Sequence, residues 1–117
     1  MEGGICLIIL RMESESWYGV RTHYELVNHS SGRDRVYEER IVIFRATSHE
    51  EAIAKAEKEA EEYCSTGSHY LGFAQSFEIF EDAPGEATEI YSLLRDSRME
   101  PDRYLTKFFD TGRERTT

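Results

Sequence analysis

Cysteine is scarce in this chain, and the two present, Cys6 and Cys64, stand far apart in sequence. No CxxC pair and no paired Cys/His spacing occurs, which excludes the usual zinc ribbons and fingers; no metal and no cofactor is expected. Both cysteines read as small buried hydrophobes in a reducing compartment, with a disulfide between them as the alternative. Positive charge is also short. Lys and Arg total 14 against 23 Asp and Glu, a net charge of −9. The acidic excess is spread along the chain, so the basic stripe that a nucleic acid requires is missing.

Long apolar runs are missing too. The strongest, Ile5 to Leu10, is six residues long and follows Glu2 rather than basic residues. It is too short for a membrane span and wrongly flanked for a signal peptide, so a cytoplasmic protein with no membrane partner is expected. There is no GxSxG elbow, no Gly-rich phosphate loop, no EF-hand and no internal repeat. None of His23, His29, His49 and His69 stands four residues from another or beside a Cys pair. Ser76 and Ser92 have no visible His or Asp partner. No residue is therefore assigned a catalytic role; whether the chain is an enzyme stays open, with the reading leaning against it.

What is present is organised around Tyr37 to Cys64, a strand that runs through a capped turn into an amphipathic helix. Ser48 and Glu51 have capping-box spacing: the Ser hydroxyl accepts from the Glu51 N–H and the carboxylate reaches back to the Ser48 N–H. Thr47 with Glu50 offers the same pairing one residue earlier. Ala52, Ile53, Ala56, Ala60, Tyr63 and Cys64 recur at helical spacing. This stripe is mostly Ala, so the helix can lie close on a sheet whose strands supply the bulk of the core. Glu57, Lys58, Glu61 and Glu62 take the opposite face. Ser65 to Ser68 end the helix, with Gly67 available as a cap.

The remaining residues read mostly as strands. Residues 5–12 are apolar without alternation, as in a strand buried on both faces or in a subunit contact. Residues 12–16 are a polar break, so 1–11 reads as an extension on a smaller core. Trp17 to Asn28 alternates, with Tyr18, Val20, Thr22, Tyr24 and Leu26 on one face and Trp17, Arg21, His23 and Glu25 on the other. A turn at 29–34 makes it a hairpin with Val36 to Ala46. Tyr70 to Asp82 alternates again, and Thr88 to Leu94 is expected to pair with it across a turn at 83–86. Pro101 suits the first position of a short helix carrying Tyr104, Leu105, Phe108 and Phe109; Gly112 stops it and 113–117 reads as a frayed tail. The expected architecture is one α+β domain over residues 1–117. Its order is β-β-β-α-β-β, with a mostly antiparallel sheet of four to five strands. One long amphipathic helix covers one face, and a short C-terminal helix follows.

The stretches WYGVR, YEERIVIFRA followed by SHEEAIAKAE, TEIYSLL and RMEPDRYLTKFF resemble a bacterial family of small domains of unknown function. The resemblance runs from about Trp17 to Phe109. It implies the same fold class and a bacterial source, and carries no activity.

Two functional classes remain open. The first is a non-catalytic interaction module, an inhibitor or immunity-type partner of a basic protein, meeting it through Glu57, Glu61 and Glu62. The second is a ligand-binding or enzymatic domain with a pocket between the sheet and the C-terminal helix, lined by Trp17, Arg21, Tyr24 and Tyr91. Glu38, Glu39 and Arg40 are charged at mid-strand. They read as protection of a sheet edge, or as a polar patch with Arg21 and Glu25 that binds a ligand. A homodimer through residues 5–12 or through the C-terminal helix is compatible with either class.

Overall fold

A computed structural model describes residues 14–26, 35–64 and 67–115. Its elements are β1 (Ser16–Leu26), β2 (Val36–Ala46), α1 (His49–Tyr63), β3 (Ser68–Ile79) and α2 (Pro101–Phe108). The strands form one antiparallel sheet in the order β2-β1-β3. Both neighbours run against β1, so β2 and β3 share a direction. Helix α1 is the crossover that carries the chain over one face, from one edge of the sheet to the other.

The α+β class matches the sequence patterning, but among the described residues the sheet has three strands where four to five were expected. The main helix has 15 residues rather than being long. The expected strand at 5–12 and the turn at 29–34 lie outside the described residues. The strand expected at Thr88 to Leu94 does not form. Residues 88–98 carry no regular structure. Their path is set by a turn in which the Gly85 N–H donates to the Thr88 hydroxyl (2.9 Å) and the Thr88 N–H to the Gly85 carbonyl (3.1 Å). The chain then crosses the open sheet face, where a Cβ placed on Gly19 would overlap the Ile90 carbonyl. There Tyr91 meets Phe77 edge-on with ring centroids 4.5 Å apart, so the segment takes part of that face's apolar surface out of water.

Side-chain alternation decides the two faces. Tyr18, Val20, Thr22 and Tyr24 of β1 point at α1 and are buried, together with Ala46, Ala52, Ala56 and Ala60. The Ala stripe brings α1 down onto all three strands. Ile53 and Cys64 are half-buried and Tyr63 exposed, so only the alanines of the predicted stripe are fully covered. Ser48 caps α1 by accepting from the Glu51 N–H at 3.1 Å, a device that contributes about 1 kcal/mol. The Glu51 carboxylate does not return to Ser48. It reaches one residue further, accepting from the Thr47 N–H (3.1 Å) and the Thr47 hydroxyl (3.3 Å).

The β1–β3 register shifts between Thr22 and Tyr24. Two residues of β1 there span four of β3, from Ala74 to Tyr70. Gly72, at φ +78°, takes the left-handed conformation that this bulge requires. Because the bulge adds an even number of residues, alternation survives it. Phe73, Phe77 and Ile79 share the face of Trp17, Gly19 and Arg21, away from α1.

Candidate functional site

The mid-strand charges of β2 divide between the two faces. Arg40 points toward α1, where it forms two hydrogen bonds with the Glu59 carboxylate, Nη1 to Oε1 at 3.0 Å and Nη2 to Oε2 at 3.2 Å. Its Nη1 also donates to the Tyr24 hydroxyl at 3.2 Å, and its guanidinium lies 3.6 Å from the Tyr63 ring centroid. The Tyr24 hydroxyl is 2.6 Å from Thr22 Oγ1. Burial works against the Arg40 charge, yet the hydrogen bonds to Glu59 and Tyr24 and the Glu59 charge outweigh it and raise its pKa. Tyr70 donates to Glu57 at 2.8 Å and Tyr63 to Glu38 at 2.7 Å. Burial and the Glu57 carboxylate push the Tyr70 hydroxyl well up; the Glu38 hydrogen bond, burial and the Glu38 charge raise Tyr63. This layer ties the helix to the sheet.

Glu39 points the other way. It faces the open side beside Arg21, whose Nη1 is 3.9 Å from its Oε2, and beside His23 at 3.9 Å. Arg21 is held by Gln75, whose Oε1 accepts from both Nε and Nη2. Its guanidinium packs 4.8 Å from the Tyr91 ring centroid, and Tyr91 in turn meets Phe77 edge-on at 4.5 Å. The crossing segment thus stands over the sheet as a strap.

Between sheet, strap and α2 lies a cleft of about 300 Å³. Arg21, Glu39 and Ile41 form its floor. Tyr91, Leu93 and Arg95 supply the strap side, and Tyr104 and Phe109 the far wall. The wall is a cluster of its own. Tyr104 lies 4.9 Å from Phe108 and 5.7 Å from Phe109, centroid to centroid. The Arg95 guanidinium sits 4.3 Å from the Phe108 centroid while its Nη1 donates to the Tyr104 hydroxyl at 3.0 Å. No residue of α2 is buried, and Phe109 is 55% exposed.

Of the residues singled out in the sequence, the structure brings Arg21, Glu39 and Tyr91 together at this cleft. Trp17 and Tyr24 do not line it. Trp17 donates its indole N–H to the Asp82 carbonyl (3.0 Å) and stacks with Arg45, anchoring the turn. Tyr24 is fully buried beneath α1. Arg40 is on the helix side, so the polar patch envisaged with Arg21 and Glu25 is divided; Glu25 pairs with Arg35 at 3.5 Å. Glu57 is engaged by Tyr70. Glu61 and Glu62 are exposed on α1.

Sequence reasoning missed Ile41, Leu93, Arg95, Tyr104 and Phe109 as lining residues. The aromatic stripe of α2 was the one available signal. It also missed a partner for Ser76: His49 Nδ1 lies 3.0 Å from its Oγ. This pair is exposed, and the described residues place no carboxylate in a hydrogen bond with His49, so it lacks the orienting acid of a hydrolytic triad. Among the described residues, no group of three His, Cys, Asp or Glu side chains could hold a metal ion, and no helix is long and apolar enough to cross a membrane.

No curated protein and no solved structure matches the chain. A family model described as a domain of unknown function, DUF4288, matches residues 17–92. The match takes in the sheet, α1 and Tyr91, and stops before Leu93, Arg95 and α2. Covering well over half of the sequence, it shows that the chain belongs to the DUF4288 family.

Proposed function

We propose that this protein is a non-catalytic binding domain whose ligand enters the cleft between the open sheet face, the strap and α2. The observation that carries this reading is the open volume of about 300 Å³, with Arg21, Arg95 and Glu39 converging on aromatic and aliphatic walls. Ligand sites combine an apolar lining with a few placed polar groups in this way, and this one is at the small end of their size range. The face beneath α1 is instead filled by Tyr18, Val20, Thr22 and Tyr24 against Ala52, Ala56 and Ala60.

The alternative, an interaction module that meets a basic protein through Glu57, Glu61 and Glu62, draws on the net charge of −9. It is the weaker reading because Glu57 is already committed to Tyr70. The test is a fragment screen on the full chain read by amide-resolved NMR. Hits that shift Arg21, Glu39, Ile41, Tyr91 and Tyr104 support the cleft. A screen with no such hits, or with shifts gathered on the Glu57–Glu62 face of α1, overturns it.

A further inference from the structure

The cleft has a sign opposite to that of the protein. Two guanidiniums and one carboxylate line it, whereas the whole chain carries −9. Resting on the reading of the cleft as a binding site, we propose that its ligand is a small organic carboxylate with a flat apolar body.

Donors for a carboxylate are free and oriented. Arg21 commits Nε and Nη2 to Gln75, which fixes the plane of its guanidinium. Among the described residues its Nη1 makes no hydrogen bond: Glu39 Oε2, at 3.9 Å, is within ion-pair range but beyond hydrogen-bonding distance, and the Glu39 side chain is 66% exposed. Arg95 has no ion-pair partner among the described residues. It makes one hydrogen bond, to Tyr104, and stacks on Phe108. Guanidinium forks match carboxylates in shape as well as charge.

The walls select the rest of the ligand. Tyr91, Tyr104 and Phe109 offer ring faces and edges, and Ile41 and Leu93 offer aliphatic surface, so a planar ring is the body that buries best. The volume of about 300 Å³ suits a ligand of one or two rings. A phosphate dianion fits less well. Glu39 stands in the same floor, the surrounding charge is negative, and no helix N-terminus or run of backbone N–H groups lines the cleft. A polyanion such as nucleic acid would meet repulsion from the rest of the surface.

Three compounds of one shape and different charge provide the test: benzoate, benzamide and benzamidinium, titrated calorimetrically into the full chain. Benzoate is expected to bind at least about tenfold more tightly than benzamide, the scale of one charge-assisted hydrogen bond, and benzamidinium to give no binding. Arg95→Gln and Arg21→Gln are each expected to reduce that preference, with the circular dichroism spectrum unchanged. Equal affinity for benzamide, preference for benzamidinium, or a benzoate preference untouched by both Arg95→Gln and Arg21→Gln overturns the carboxylate assignment. If none of the three binds but other fragments shift the cleft residues, the ligand class is wrong and the site stands. If nothing shifts them, the site itself falls.

Discussion

Arg40 of β2 and Glu59 of α1 close a two-point ion pair across the sheet–helix layer, with N–O distances of 3.0 and 3.2 Å. The guanidinium is flanked by the Tyr24 and Tyr63 rings, and both charged side chains are less than one-third exposed. Arg40 is thus consumed in holding α1 at one register over the sheet, which leaves Glu39, on the other face, as the mid-strand charge of β2 that lines the cleft.

Removing one member strands the other in a half-buried layer. Arg40→Met and Glu59→Gln are each expected to lower stability by about 1–3 kcal/mol, between the surface and buried limits for ion pairs. Arg40→Lys should recover only part, since an ammonium cannot bridge both carboxylate oxygens. Urea unfolding of the single and double variants checks this; strictly additive losses would show that the pair is not coupled.

Three tyrosines, Tyr18, Tyr63 and Tyr70, have raised pKa values. Burial dominates for Tyr18 and Tyr70, with nearby glutamates adding to it, and the Glu38 hydrogen bond leads for Tyr63. In the unfolded chain these hydroxyls ionise near pH ~10. The folded state holds its protons to higher pH, so it is favoured in full below pH ~10 and loses that advantage as pH rises through the folded values. Tyrosinate absorbance should therefore show at least these three groups titrating late and together with loss of helical signal. Titration of Tyr18, Tyr63 and Tyr70 near pH ~10 with the fold intact would contradict the environments described.

Gly19→Ala places a methyl group against the Ile90 carbonyl. The backbone atom cannot step aside without lifting the strap, so a cost of about 1–3 kcal/mol is expected, the range for overpacking. The lift should expose residues 83–95 to limited proteolysis and weaken ligand binding, while the far-ultraviolet spectrum stays native. Unchanged proteolysis would mean that the strap does not rest on Gly19.

Deleting residues 99–117 removes α2, in which no side chain is fully buried. Stability should change by no more than about 0.5 kcal/mol, as for surface changes away from buried features. The cleft would lose Tyr104 and Phe109, and binding should go with them. A large loss of stability would show α2 to be part of the core.

Much of the fold was legible in the sequence because alternation and helical period are local. Tyr18, Val20, Thr22 and Tyr24 read as one face, and Ser48 with Glu51 as a helix start, from spacing alone. The strap was not legible. TEIYSLL has strand composition, and what lets it lie across the sheet is the absence of a Cβ at Gly19, a long-range steric fact. The cleft was half legible. Arg21, Glu39 and Tyr91 stood out as polar or aromatic residues on an exposed face, but Arg95 joins them only through α2. Arg40 was misplaced relative to Arg21 because adjacent strand charges point to opposite faces, and Glu59, its partner, lies 19 residues away.

The most direct test is a crystal of the full chain grown with para-bromobenzoate and measured at the bromine absorption edge. One bromine peak between Tyr91, Tyr104 and Phe109, with the carboxylate turned to Arg21 and Arg95, is the expected result. Bromine bound elsewhere, or a cleft closed by Tyr104 and Phe109 collapsing onto Ile41, would contradict it.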